Sequence, residues 1–164
     1  LYAVHRAFAT DGEFDNTGEM FYCAAQGGME YYRTKISPLT TNDYRLVYYL
    51  VRRYYRGIEA LTKRRPHVRS AYFKKQKIFI GLFWSHLRDK NWVDRVRRLK
   101  YFMCAIELIA QSHYKPETKE DVGKPGELVH RFGGITPDKK LFYVQIIENK
   151  KSKEKYLISI FPVN

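Results

Sequence analysis

The spacing of apolar residues switches once along this chain, close to Ser112, and the switch limits the folds open to it. Before it, apolar side chains recur at three or four residues, the period of a helix with one buried stripe. Leu46, Leu50, Tyr54, Ile58 and Leu61 form the first stripe, opened by the capping cluster Thr40-Thr41-Asn42-Asp43 and stopped by Pro66. A second helix is predicted over residues 71–89, with Ile78, Leu82, Phe83 and Leu87 inward. Asn91 caps a third, whose stripe is Trp92, Val96, Leu99, Met103, Ile106 and Ile109. Residues 113–126 carry Pro116, Pro125, Gly123 and Gly126 and read as a connecting loop.

Beyond that loop come three short runs rich in strand formers: Glu127–Phe132, Lys140–Glu148 and Lys155–Pro162. The links between them, Gly133-Gly134 through Asp138 and then Asn149–Glu154, are short enough for hairpins, so the runs predict an antiparallel meander. The expected fold is α+β, with about three N-terminal helices packed on a small three- or four-stranded antiparallel sheet. Residues 41–164 make one such domain, as the length of 164 residues suggests. Residues 1–40 show no sustained period and carry Asp11-Gly12, Asn16-Thr17-Gly18 and Gly27-Gly28. They read as an irregular, partly disordered extension with a short strand at Met20–Ala24. Leu1 is not a methionine, and Met29 would serve as a start that makes residues 1–28 an extension.

The charge is concentrated. The chain carries a formal net charge of +13, and residues 41–111 hold 17 basic against 5 acidic side chains, a net of +12. A dense basic surface is the electrostatic footprint of a polyanion partner, which points to nucleic acid. On the third helix Arg95, Arg97, Arg98 and Lys100 are the candidate phosphate contacts. Cys23 and Cys104 stand far apart, outside any CxxC pattern, which argues against a disulfide scaffold or zinc site and fits a reducing, cytoplasmic setting. No stretch approaches a membrane span, and the N-terminus lacks the order of a signal peptide.

Motifs of nucleotide and metal chemistry are missing: no Walker loop, GxGxxG, HExxH or GxSxG, and no carboxylate cluster for paired metals. What remains on the strands is His, Arg, Lys, Gln and Ser. That set suits phosphodiester cleavage without a metal or other cofactor, in which a base takes the ribose 2′-OH proton and cations stabilise the added charge. Strand alternation sorts the set. Phe142, Val144 and Ile146 share one face, leaving Tyr143 and Gln145 on the other. Ile158 and Ile160 share a face, leaving Leu157, Ser159 and Phe161 opposite. His130 lies with Leu128 and Phe132, Arg131 with Val129, and which of the two faces His130 takes stays open.

The runs His130-Arg131-Phe132-Gly133-Gly134, Phe142-Tyr143-Val144-Gln145-Ile146 and Lys155-Tyr156-Leu157-Ile158-Ser159-Ile160-Phe161-Pro162 resemble the barnase–EndoU–colicin–RelE superfamily of ribonucleases. The resemblance spans about residues 95–162 and is to the phage-associated and mobile-element branches. It implies helices before a small antiparallel sheet and an active site on the sheet's open face. It also implies catalytic roles for His130, Lys155 and Ser159, with His130 beside Gln145 and Ser159 around the phosphate; Arg131 as a phosphate clamp and Gln145 as a substrate-orienting group complete the candidate catalytic set. The activity implied is RNA cleavage to a 2′,3′-cyclic phosphate in a toxin-like or mobile-element setting, with a cognate antitoxin or immunity protein as partner. The alternative is a basic nucleic-acid-binding module without catalysis, and the oligomeric state is left open.

Overall fold

A computed structural model describes residues 28–163. The chain runs β1 (Tyr31–Arg33), α1 (Tyr44–Thr62), β2 (His67–Arg69), β3 (Lys77–Phe79), α2 (Gly81–Arg88), α3 (Trp92–Lys100), α4 (Phe102–Gln111), β4 (Glu117–Glu120), β5 (Glu127–Ile135), β6 (Leu141–Asn149) and β7 (Lys155–Pro162). The strands make one seven-stranded mixed sheet in the order β1-β5-β6-β7-β3-β2, with β4 also paired to β5.

The expectation of three N-terminal helices on a small antiparallel sheet is therefore wrong. Among the described residues there are four helices, the first follows a strand, and two of the strand pairings, β1 with β5 and β3 with β7, are parallel. The predicted second helix is the largest error. Residues 71–89 hold a turn, then β3, and only then α2. Lys77-Ile78-Phe79 pairs with β2 on one side and with Lys155-Tyr156 on the other, so tertiary pairing overrides the local helical spacing. β1 lies within the stretch read as irregular, and Leu39 N–H donates to the Lys100 carbonyl, so the domain begins before residue 41. The strand expected at Met20–Ala24 lies outside the described residues.

Local chemistry explains the helices. Asp43 caps α1, its carboxylate accepting from Arg45 N–H at 2.9 Å and Leu46 N–H at 3.4 Å. The buried stripe of α1 is Val47, Val51 and Tyr55, one residue out of phase with the predicted stripe, and Leu61 is left 85% exposed. Two apolar stripes run side by side on this helix, so the period was readable and the phase was not. Asn91 caps α3 through Asp94 N–H at 2.9 Å. The predicted third helix breaks at Tyr101 (φ −97°, ψ 4°) into α3 and α4. Beyond the break Phe102, Cys104, Ala105, Ile106, Leu108 and Ile109 are all buried, as befits a helix enclosed on most sides.

The helices contribute Val51, Phe83, Leu99, Phe102 and Leu108 to a single core with Phe132, Phe142, Val144, Ile146, Leu157 and Ile160 of the meander. Burying each of these large side chains contributes about 1.5–3 kcal/mol. Those strand residues define a helix face. The far face carries a separate small cluster of Val129, Ile147 and Ile158. β5 continues through Gly133-Gly134-Ile135, so the hairpin link expected to start at Gly133 begins only after Ile135. Gly134 faces Phe142 in register, and a Cβ there would overlap the Phe142 ring.

One irregularity governs β7. Gln145 pairs Ser159, but Ile146 pairs Leu157, leaving Ile158 as an extra residue in a bulge. The bulge puts Leu157 and Ile160 on the helix face, and Ile158 on the far face with Ser159. Simple alternation puts Ile158 with Ile160 and Leu157 with Ser159; the inserted residue resets the parity.

Candidate nucleic-acid interface

Register, more than sequence proximity, assembles the polar groups of the sheet. Arg131 on β5 stands opposite Gln145 on β6, which stands opposite Ser159 on β7. Directly paired residues project to the same side of a sheet, so the three make one polar row on the far face. β4 extends the row by pairing Glu117 with Arg131. At the other end α3 closes over the edge of β7. Arg98 donates from Nη1 to Ser159 Oγ at 2.5 Å and to the Ile160 carbonyl at 3.0 Å, with its guanidinium 4.4 Å from the Phe161 ring centroid.

The row is electropositive and partly sealed. Arg98 is 5% exposed, and burial pushes its guanidinium below the ordinary value, though arginine stays charged in proteins. Arg131 lies with its guanidinium 3.7 Å from the centroid of Tyr143, whose hydroxyl meets that of Tyr31 at 3.1 Å. Gly133 makes room for Tyr31, whose ring carbon would stand 2.6 Å from a Cβ at that position. Gln145 between the two arginines is 4% exposed, and its Oε1 has no hydrogen-bond partner among the described residues. An amide held between two cations with its oxygen unsatisfied is a feature that folding alone does not explain.

His130 and Lys155 are elsewhere. Both belong to the helix face, His130 opposite Ile146 beside the bulge and Lys155 opposite Glu148, which joins them. His130 Nε2 is 2.8 Å from Glu148 Oε2, and its Nδ1 is 2.8 Å from Thr118 Oγ1. The carboxylate partner puts the imidazole hydrogen on Nε2, leaving Nδ1 to accept from the Thr118 hydroxyl. Lys155 Nζ lies 3.6 Å from Glu148 Oε2 and donates to Gln76 Oε1 at 2.7 Å and the Lys153 carbonyl at 3.1 Å. The Phe73 ring covers both, 5.0 Å from the His130 ring and 4.9 Å from Lys155 Nζ. Burial pushes the His130 pKa below 6.5 despite the opposing pull of Glu148. The sequence-predicted five thus divide: Arg131, Gln145 and Ser159 come together, while His130 and Lys155 form a buried ionic cluster on the other side of the sheet. Glu148 was not foreseen, although it shares strand parity with Ile146 and so with the helix face.

The four basic residues of α3 also part company. Arg95 binds the Lys90 carbonyl at 2.7 Å and the Arg88 carbonyl at 2.6 Å, closing the end of α2. Arg97 pairs with Asp94 at 3.5 Å, and Lys100 donates to Asn42 Oδ1 at 2.9 Å. Only Arg98 reaches the polar row. Cys104 is buried against the Ile36 carbonyl at 3.3 Å and its thiol is pushed up to about 12, which rules it out as a nucleophile at neutral pH. Among the described residues no group of three or more His, Cys, Asp or Glu side chains is placed to hold a metal ion, and no helix is long and apolar enough to cross a membrane. Comparison of the chain with protein-family models, with curated proteins and with solved structures gives no match.

Proposed function

We propose that this chain binds RNA across the far face of its sheet and cleaves it without a metal ion, leaving a 2′,3′-cyclic phosphate. The observation that carries the reading is the row Arg131–Gln145–Ser159 with Arg98 at its end. A phosphate seated on that row meets two fixed guanidinium groups, which stabilise the charge that grows on phosphorus-bound oxygens during attack. Gln145 and Ser159 orient it. The 2′-oxygen forms a bond to phosphorus, the bond to the 5′-oxygen breaks, and the leaving oxygen takes a proton from water. The 2′ proton needs an acceptor on the same face. Glu117, in register with Arg131, is the carboxylate of the row and fills that role in place of His130.

A second reading, a nucleic-acid-binding module without catalysis, is favoured by the position of His130, the only histidine of the expected set, on the helix face. The two part in one experiment. End-labelled RNA is incubated with the protein in excess EDTA, beside a substrate with a single 2′-deoxy linkage. Cleavage to cyclic-phosphate ends that spares the deoxy linkage is expected. RNA that is bound yet stays intact supports the binding module.

A further inference from the structure

The far face carries a second structure beyond the polar row. His67 of β2 pairs Phe79 of β3, and Phe79 pairs Tyr156 of β7, so three rings stand in line on the same side as Ile147, the register partner of Tyr156. Ring centroids lie 6.1 Å apart for His67 and Phe79 and 5.7 Å apart for Phe79 and Tyr156. Arg65 lies on top, its guanidinium 3.7 Å from the Phe79 centroid. Glu154 at 2.9 Å and the Tyr156 hydroxyl at 3.3 Å fix its orientation. The Arg65 side chain is nevertheless 53% exposed, so a flat cationic plane is held toward solvent.

We propose that this platform stacks an unpaired base of a single-stranded RNA whose phosphate occupies the Arg131–Gln145–Ser159 row. The inference rests on the proposed RNA-binding function and specifies its substrate. Three arguments support it. An exposed ion pair of this kind contributes little to stability, so folding alone gives weak reason to hold Arg65 flat over a ring. Guanidinium planes and aromatic rings are the surfaces on which splayed bases stack, and a paired base offers no such face. Charge also fits. Arg69 and Lys77 pair with each other two residues from His67 and Phe79, on the same side of the sheet, and both are exposed. Tyr156 and Ser159 are three residues apart on β7, about 10 Å along a strand, so base and phosphate belong to the same or neighbouring nucleotides. His67 adds a reading element: its Nδ1 lies 2.8 Å from the Arg65 carbonyl and so carries the hydrogen, which leaves Nε2 as an acceptor at the platform's edge.

The test uses fluorescence anisotropy with a 2′-O-methylated single-stranded RNA, which cannot be cleaved by 2′-OH attack, and its duplex counterpart. Wild-type protein is compared with Arg65→Ala, Tyr156→Leu and Arg131→Ala, each first checked for cooperative thermal unfolding. Tyr156→Leu is expected to weaken single-strand binding by roughly 5- to 150-fold, the usual worth of one stacked base, and to leave duplex binding unchanged. Arg65→Ala, on an exposed side chain that the fold does not need, is expected to act in the same direction. Arg131→Ala weakens both ligands. Equal affinity of the wild type for strand and duplex, or folded platform variants with undiminished single-strand affinity, overturns the platform while leaving RNA binding in place. Failure of the wild type to bind either RNA at low salt overturns both the platform and the function on which it rests.

Discussion

Gln145 and Ser159 face each other across β6 and β7, and one residue further on the ladder slips, leaving Ile158 without a partner. The slip turns Leu157 back into the core while Ser159 stays beside Gln145 and within reach of Arg98. A bulge therefore lets one strand serve the core and the polar row together.

Gln145 is the costly member of that row. A buried carbonyl oxygen without a partner forfeits its hydration, and no described residue compensates it. Gln145→Met keeps the length and removes the unsatisfied atom, so it is expected to stabilise the fold by about 1 kcal/mol. The same change is expected to weaken RNA binding. Urea unfolding and RNA anisotropy on one preparation measure both. A destabilised variant would mean that Gln145 is satisfied in the folded protein.

The buried His130 makes stability depend on pH. Its folded pKa lies below the ordinary 6.5 because burial disfavours the cation. The stabilisation is complete above about 6.5 and is lost as pH falls from there through the lowered folded value, because the unfolded chain takes up the proton first. His86 is shifted the same way by burial, so the wild-type curve alone does not isolate one group. Comparing wild type with His130→Gln does. The variant is expected to be less stable at pH 7.5 and to lose less on going from pH 7 to 5.5. Parallel curves would rule out His130 as a source of the acid sensitivity.

Glycine substitutions read the packing directly. At Gly134 a Cβ meets the Phe142 ring and Leu108, both core residues without room to move. Gly134→Ala is expected to destabilise by about 1–3 kcal/mol through overpacking. At Gly57, inside α1, nothing lies within 4 Å of a new Cβ. Gly57→Ala is expected to stabilise by about 0.5–1 kcal/mol through helix propensity. Thermal unfolding of the two variants should move in opposite directions.

The helical period of residues 44–62 and 92–111 is legible in the sequence because α1, α3 and α4 each span two or more turns. Their phase is not. On α1 the stripes Leu46-Leu50-Tyr54 and Val47-Val51-Tyr55 are equally apolar, and only packing chooses the valines. β1, β2 and β3 have three residues each, too few to display alternation. Two of them join the sheet through distant parallel partners, Tyr31 with Gly133 and Ile78 with Lys155. The break at Tyr101 carries neither Gly nor Pro. In the site, parity puts Gln145 and Ser159 on one side, but the direction of His130 depends on Thr118 and Glu148, whose register no local pattern reveals.

Arg98 and Arg131 flank the same row but are held differently, which separates structure from binding. Arg98 is buried and satisfies the Ile160 carbonyl at the edge of β7. Arg98→Ala leaves that carbonyl and Ser159 without their donor, so a loss of about 1–3 kcal/mol is expected. Arg98→Lys keeps the charge but lacks the planar fork, and it should recover only part of that stability. Arg131 rests on the half-buried ring of Tyr143, and Arg131→Ala removes that guanidinium from the row. Its effect falls on RNA: binding weakens for every sequence, and the slope of log affinity against log salt drops by about 1, the signature of one lost phosphate contact. The Arg95→Ala variant is the control, because its guanidinium is engaged by the carbonyls of residues 88 and 90. Its salt slope is expected to match wild type. If Arg95→Ala flattens the slope and Arg131→Ala does not, the phosphate path runs along α3 and the polar row is not the RNA site.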